Sequence, residues 1–157
     1  MSLTDQNQRE KEFHNKLQSQ SKGRFENIFY KAIYNSNEDF FKFLELNAIN
    51  SEVLDFGCGT GSSLEKVIKF NPKKITGIDI SEVSILKAKN KIKESKSKIV
   101  LLVDNCEQTK FNSNDFDIVY GTGILHHLNI SVCLDEIKRI LKPGGELIFI
   151  EPLGTNP

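Results

Sequence analysis

The stretch Val53-Leu54-Asp55-Phe56-Gly57-Cys58-Gly59-Thr60-Gly61 decides the fold. It joins a short apolar run to a glycine-rich turn, and a helical pattern follows from Ser62 to about Phe70. Val53-Leu54 reads as the end of a strand buried on both faces. The glycines permit positive φ and remove Cβ atoms where a backbone must touch a ligand. The first free N–H groups of the helix would point to the same place. The stretch therefore predicts a strand, a tight turn and a helix, with a ligand held by main-chain atoms at the strand's C-terminal end.

Two phosphate-binding motifs fail here. A dinucleotide fingerprint requires G-x-G-x-x-G. The third glycine comes one residue early, at Gly61, and Ser62 occupies its place. A P-loop requires G-x-x-x-x-G-K-[ST], and no Gly-Lys-Ser/Thr occurs. Asp55 points the same way. A carboxylate beside a pyrophosphate would repel it, whereas it suits a ligand with a cationic group.

Downstream, strands and helices alternate. Lys74 to Ile80 reads as a second strand carrying Asp79 at its end, and Ser81 as the N-cap of a helix to about Ser95. Lys87, Lys89, Lys91 and Lys93 on that helix, with Lys96 and Lys98 beyond, form a solvated face. Ile99 to Val103 predicts a third strand, ending in Asp104-Asn105. Phe116 to Tyr120 predicts a fourth, ending at Gly121-Thr122-Gly123. A helix from about Ser131 to Leu141 is stopped by Lys142-Pro143-Gly144-Gly145, and Glu146 to Ile150 is the fifth strand. This alternation predicts an α/β, doubly wound parallel sheet. Such sheets bind ligands outside the C-terminal ends of their strands. Asp55, Asp79 and Asp104 all fall at such ends, and Asp79 lies 24 residues after Asp55.

Upstream, residues 1–24 are polar and predict a frayed or exposed segment. From Phe25 to Leu46 apolar residues recur at helical spacing (Phe25, Ile28, Phe29, Ile33, Phe40, Phe41, Phe43, Leu44). We divide the chain into residues 1–46, a polar segment and helical lid, and 47–157, the ligand-binding core. Phe13, His14, Phe25 and Tyr30 are secondary site candidates.

The composition fits a single enzyme domain of 157 residues. Twenty-one basic and 21 acidic residues give zero formal net charge, which argues against bulk nucleic acid or a membrane surface as partner. Three widely spaced cysteines (Cys58, Cys106, Cys133) read as reduced thiols in a cytoplasmic protein. No C-x-x-C or zinc-type histidine spacing occurs, so no metal is predicted. No apolar run is long enough for a membrane span.

Val53 to Gly61 resembles the first motif of the class I S-adenosylmethionine-dependent methyltransferases. The resemblance extends over about residues 50–152. It takes in Phe116-Asp117-Ile118-Val119 through Leu125-His126-His127-Leu128, and Leu141-Lys142-Pro143-Gly144-Gly145. It implies S-adenosylmethionine as methyl donor, S-adenosylhomocysteine as product, and a Rossmann-like sheet of order 3-2-1-4-5. It also implies roles. Asp79 would accept from both ribose hydroxyls. The loop of Phe56, Gly57, Cys58, Gly59 and Gly61 would lie against the methionine carboxylate and ribose. Asp55 would sit near the α-amino group, acting through water. Asp104 would reach the adenine amine, with the Asn105 or Cys106 backbone near a ring nitrogen and Ile80 on the ring face. Gly121, Thr122 and Gly123 would line the methyl-transfer side. His127, or its neighbour His126, would be a catalytic base. Glu151 would face the acceptor or lie on the surface.

The chain departs from the family after strand five. The final antiparallel strands are lacking, which leaves Leu147-Ile148-Phe149-Ile150 on an open edge. That predicts a fragment of a longer enzyme, or a homodimer covering the edge. Two functions follow from different classes. One is methyl transfer to a small molecule, sugar or lipid. The other is a non-catalytic or truncated module that binds S-adenosylmethionine or S-adenosylhomocysteine.

Overall fold

The computed structural model describes residues 34–92 and 98–151, together with positions 5, 8, 9, 11, 12 and 15. Phe13, His14, Phe25 and Tyr30 lie outside the described residues, as do Lys93 and Lys96.

The elements run α1 (Tyr34–Asn47), β1 (Glu52–Phe56), α2 (Ser62–Val67) with a 3-10 turn (Ile68–Phe70), and β2 (Lys74–Asp79). They continue with α3 (Glu82–Lys91), β3 (Lys98–Val103), β4 (Phe116–Thr122), a 3-10 turn (Leu125–His127), α4 (Ile130–Ile140) and β5 (Leu141–Ile150). The five strands form one sheet in the order β3-β2-β1-β4-β5. Every neighbouring pair is parallel. Both the strand order and the all-parallel pairing are those predicted.

Side chains alternate across each strand, and the core divides accordingly. Val53, Ile75, Ile118 and Tyr120 pack on one face with Phe40 and Leu44 of α1, Leu64 and Val67 of α2, and Ile85 and Ala88 of α3. Leu54, Phe56, Ile78 and Val119 pack on the other with Cys133, Ile137 and Ile140 of α4. Helices on both faces bury the sheet, which is why β1 and β4 read as apolar runs.

Phe40 meets the Tyr120 ring edge-on, with centroids 6.0 Å apart. This half of the upstream aromatic stripe is therefore core packing, while Phe41 lies under the Lys66 ammonium at 4.4 Å.

One boundary differs from the prediction. The KPGG segment predicts a turn between helix and strand, yet β5 already begins at Leu141, paired with Phe116. The register then shifts before Ile118 pairs with Glu146, so residues 142–145 form a bulge within the strand. Gly144 takes φ +79°, and Lys142 Nζ reaches Asp117 at 2.8 Å. The ion pair and the Phe116–Leu141 pairing hold the segment to the sheet where proline and glycine alone suggested a release.

Leu44 is fully buried in the cluster that joins α1, α2 and α3 to the sheet. Leu44→Ala should cost about 2–5 kcal/mol in urea denaturation. A loss below about 1 kcal/mol would mean that α1 is not part of the core.

Candidate functional site

The C-terminal ends of β1, β2, β3 and β4 converge on the glycine loop. Gly57, Gly59 and Gly61 all take positive φ (79°, 53° and 81°). Only one of them faces open space. A Cβ on Gly57 would lie 2.5 Å from Ile124, and one on Gly61 would lie 3.0 Å from Ile92 and 3.2 Å from Ala88. These two glycines make room for protein neighbours. A Cβ on Gly59 would meet nothing within 4 Å, so this is where the backbone lies open to a ligand.

Asp79 organises the loop. Its Oδ2 accepts from the Gly59 N–H at 2.9 Å, and its Oδ1 accepts from the Ser81 N–H at 2.8 Å. One side chain thus ties the loop after β1 to the turn after β2. Ser81 caps α3 by accepting from the Ser84 N–H at 3.1 Å. Two described residues near the chain start reach the same turn. Asn15 Oδ1 accepts from the Ser81 hydroxyl, and Lys11 Nζ lies 2.7 Å from Glu82.

Asp55 is 1% exposed and accepts from the Tyr120 hydroxyl at 2.9 Å. Its Oδ1 is buried with no hydrogen-bond partner among the described residues. Burial pushes its pKa up to about 7; the Tyr120 hydrogen bond pulls down and the nearby Asp79 adds to the rise. An acceptor left unpaired beside a second carboxylate is matched by a cationic donor.

Asp104 is nearly buried. Its Oδ1 accepts from the Asn105 N–H and its Oδ2 from the Lys110 N–H, both at 3.0 Å. It holds its own loop closed, with one lone pair per oxygen to spare. Its N–H donates to the Asp79 carbonyl at 3.1 Å, which places the two acidic residues on adjacent strand ends. Asn105 Oδ1 accepts from the Glu107 N–H at 3.0 Å.

The side chains of Phe56, Cys58 and Cys106 are buried in the core, so only their backbone groups are available to a ligand. Ile80 is half-buried at the end of β2. Gly121 must lack a Cβ, which would lie 2.5 Å from the Phe149 ring and 2.8 Å from the Phe56 carbonyl oxygen.

After β4, Gly123-Ile124-Leu125-His126-His127 turns over the same end of the sheet. Glu151, just past β5, gathers it. Glu151 Oε1 accepts from the N–H groups of Ile124 and Leu125, both at 2.9 Å. Oε2 lies 2.7 Å from His126 Nδ1. Burial pushes the Glu151 carboxyl up, but hydrogen bonds from His126 and from the Leu125, Ile124 and His126 backbone outweigh it and hold it below the usual range. The two imidazole centroids lie 3.9 Å apart, with His126 the more exposed.

Sequence reasoning misses Tyr120 and Asn15, and it leaves Glu151 between the acceptor side and the surface. Strand order exposes Tyr120, because β1 beside β4 pairs Asp55 with Tyr120 in register. Likewise Thr122 pairs with Ile150, which sets Glu151 next to Gly123. Asn15 carried no signal. Elsewhere, a groove of about 340 Å³ lined by Asn37, Phe41, Lys66 and Phe70 lies between α1 and α2, away from the loop. Among the described residues no cluster of three His, Cys, Asp or Glu could hold a metal ion, and no helix is long and apolar enough to cross a membrane.

The model of a known family, described as a methyltransferase domain, matches residues 54–149. The chain belongs to the methyltransferase domain family. S-adenosylmethionine is accordingly its cofactor, as the motif resemblance implied. Over 105 residues the chain is 35% identical to a tRNA U34 carboxymethyltransferase from Nautilia profundicola, covering 66% of this chain and 35% of that one. It is 37% identical to the demethylmenaquinone methyltransferase of Lactococcus lactis subsp. lactis, covering 63% and 41%. The chain thus spans well under half the length of these methyltransferases. Among solved structures, the PH0226 protein of Pyrococcus horikoshii superposes with a TM-score of 0.65 at 25% identity, covering 80% of this chain and 59% of that one.

The raised pKa of Asp55 gives a signed pH dependence. A folded-state value above the unfolded one means that stability from this group is complete below about pH 4 and is lost as pH rises towards 7. Asp55→Asn should remove that slope, on the order of 1 kcal/mol per pH unit across the window. Urea denaturation from pH 4 to pH 8 should show the variant gaining on the parent as pH rises. Parallel curves would contradict the buried, ionisable Asp55.

Proposed function

We propose that this chain transfers the methyl group of S-adenosylmethionine to a small-molecule, sugar or lipid acceptor. The observation that carries the reading is the Asp79 clamp on Gly59, which holds an open main-chain surface between three strand-end carboxylates. The residues present fit the cofactor. Asp55 Oδ1, buried with no hydrogen-bond partner among the described residues, suits the α-ammonium group, reached through water, and the Asp79 carboxylate, an acceptor at the end of β2, suits the two ribose hydroxyls. Asp104, the Asn105–Cys106 backbone and Ile80 form the adenine end. Gly121, Thr122 and Gly123 lie on the side where the methyl group leaves.

When bound, S-adenosylmethionine supplies a methyl group already activated on a sulfonium. The chain's contribution is then mainly positional, bringing an acceptor lone pair in line at about 3 Å. A base is required only where the acceptor must lose a proton, and His126 and His127 stand at that place. The segment before α1 serves as a lid, a reading supported by Asn15 and Lys11 on the turn beside Asp79.

Zero net charge favours a small acceptor over RNA, although one relative acts on tRNA by its name. The thiols of Cys58, Cys106 and Cys133 are all unpaired and buried, which supports a cytoplasmic setting. Leu147 on the β5 edge is 51% exposed, which supports a homodimer pairing along that edge. The second reading is a module that binds S-adenosylmethionine or S-adenosylhomocysteine without turnover.

Calorimetry should show binding of S-adenosylmethionine and S-adenosylhomocysteine but not of NAD. Asp79→Ala, with its fold verified by circular dichroism, should weaken binding by about 1.5–3 kcal/mol. Tight NAD binding with no response to the other two would refute both readings. Incubation with isotopically labelled cofactor and either a metabolite pool or tRNA, followed by mass spectrometry, separates the acceptor classes. Labelled product in neither, with cofactor binding intact, would favour the module.

A further inference from the structure

The cofactor reading above assigns no role to Glu151, yet both oxygens of its carboxylate are engaged. Oε1 takes two backbone N–H groups of the turn after β4, and Oε2 takes the His126 ring at 2.7 Å and the His126 N–H at 3.4 Å. The turn is also anchored from the other side. Ile124 packs where a Cβ of Gly57 would lie, so the histidine-bearing turn is fixed to the cofactor loop and to β5 together.

The chemistry of the pair determines the imidazole's state. An ionised carboxylate only accepts hydrogen bonds. The proton between Glu151 and His126 must therefore sit on Nδ1. In the neutral imidazole the other nitrogen is then an acceptor. His126 is 42% exposed at its side chain, and its Cε1 lies 3.9 Å from the position of a Cβ on Gly123. The ring thus stands at the open end of β4.

We propose that Glu151 is a positioning residue that locks His126 in the Nδ1–H tautomer, so that Nε2 serves as proton acceptor at the methyl-transfer side. This rests on the methyltransferase reading above and narrows it to an acceptor with a weakly acidic hydroxyl or enol. In the transfer, the acceptor oxygen forms a bond to the methyl carbon, and the carbon–sulfur bond breaks with its electron pair passing to sulfur. The hydroxyl proton moves to His126 Nε2. The resulting imidazolium is held by the Glu151 carboxylate until it releases the proton to water.

Glu151→Gln gives a sharp test because glutamine keeps the shape. Its carbonyl oxygen can stay on the Ile124 and Leu125 N–H groups, which turns its amide N–H towards Nδ1. The proton must then move to Nε2. With only three histidines in the chain, its long-range proton–nitrogen correlation spectra resolve each ring. The parent should show His126 as the Nδ1–H tautomer and Glu151→Gln as Nε2–H, with S-adenosylhomocysteine affinity unchanged by calorimetry. Turnover of any acceptor found with labelled cofactor should fall by about 10²-fold. An Nε2–H tautomer in the parent would overturn the proposal even if the variant does not fold. So would an unmoved tautomer or parent-like turnover in a folded Glu151→Gln. Failure of S-adenosylhomocysteine to bind the parent would instead count against the methyltransferase reading, while the tautomer result would stand by itself.

Discussion

The site depends on one carboxylate accepting two backbone hydrogen bonds from two different strand connections. Asp79 binds the Gly59 N–H and the Ser81 N–H at once. The Cys58 N–H, donating to the Ile78 carbonyl at 2.8 Å, ties the same loop to β2 a second time. The clamp sets the height of Gly59 above the sheet, and Gly59 is the loop glycine open to a ligand. Hydrogen bonds to a charged acceptor are worth about twice neutral ones, so a few such bonds can hold a loop of small residues rigid. Rigidity matters because methyl transfer depends on geometry more than on reactive side chains.

The same arrangement creates an electrostatic cost that a cationic ligand relieves. Asp55 lies in the negative potential of Asp79, and it is 1% exposed. Tyr120 satisfies one oxygen of Asp55 and leaves the other unpaired. A ligand bearing an ammonium group removes this penalty, whereas a pyrophosphate would increase it. Buried charge therefore argues against a dinucleotide as much as the early third glycine does.

Much of this was legible in the sequence because sheet proteins repeat a simple period. The apolar runs at Val53-Leu54 and Ile118-Val119, broken by glycine or acidic residues, located the strands and the ends at which a ligand sits. The strand order then followed from the family resemblance. What the sequence did not show were contacts set by three-dimensional closure. Glu151 binds a turn 25 to 27 residues earlier, because β4 and β5 are neighbours. Asn15 binds Ser81 across 66 residues, and no periodicity announces such a contact. The bulge at 142–145 was misread because Pro143 and Gly144 signal a turn, while the partner Asp117 that recruits Lys142 lies on another strand. The loop glycines were also read too generously, since Gly57 and Gly61 serve neighbouring side chains.

The account's central claim is that the cofactor lies on the strand ends around the Asp79 clamp. Titrating S-adenosylhomocysteine into nitrogen-labelled protein and following backbone amide shifts tests it most directly. The largest shifts should cluster at Gly57 to Gly61, Asp79 to Ser81 and Asp104 to Cys106, with smaller ones at Gly121 to Gly123. Shifts confined to the groove between α1 and α2, around Phe41, Lys66 and Phe70, would contradict the account.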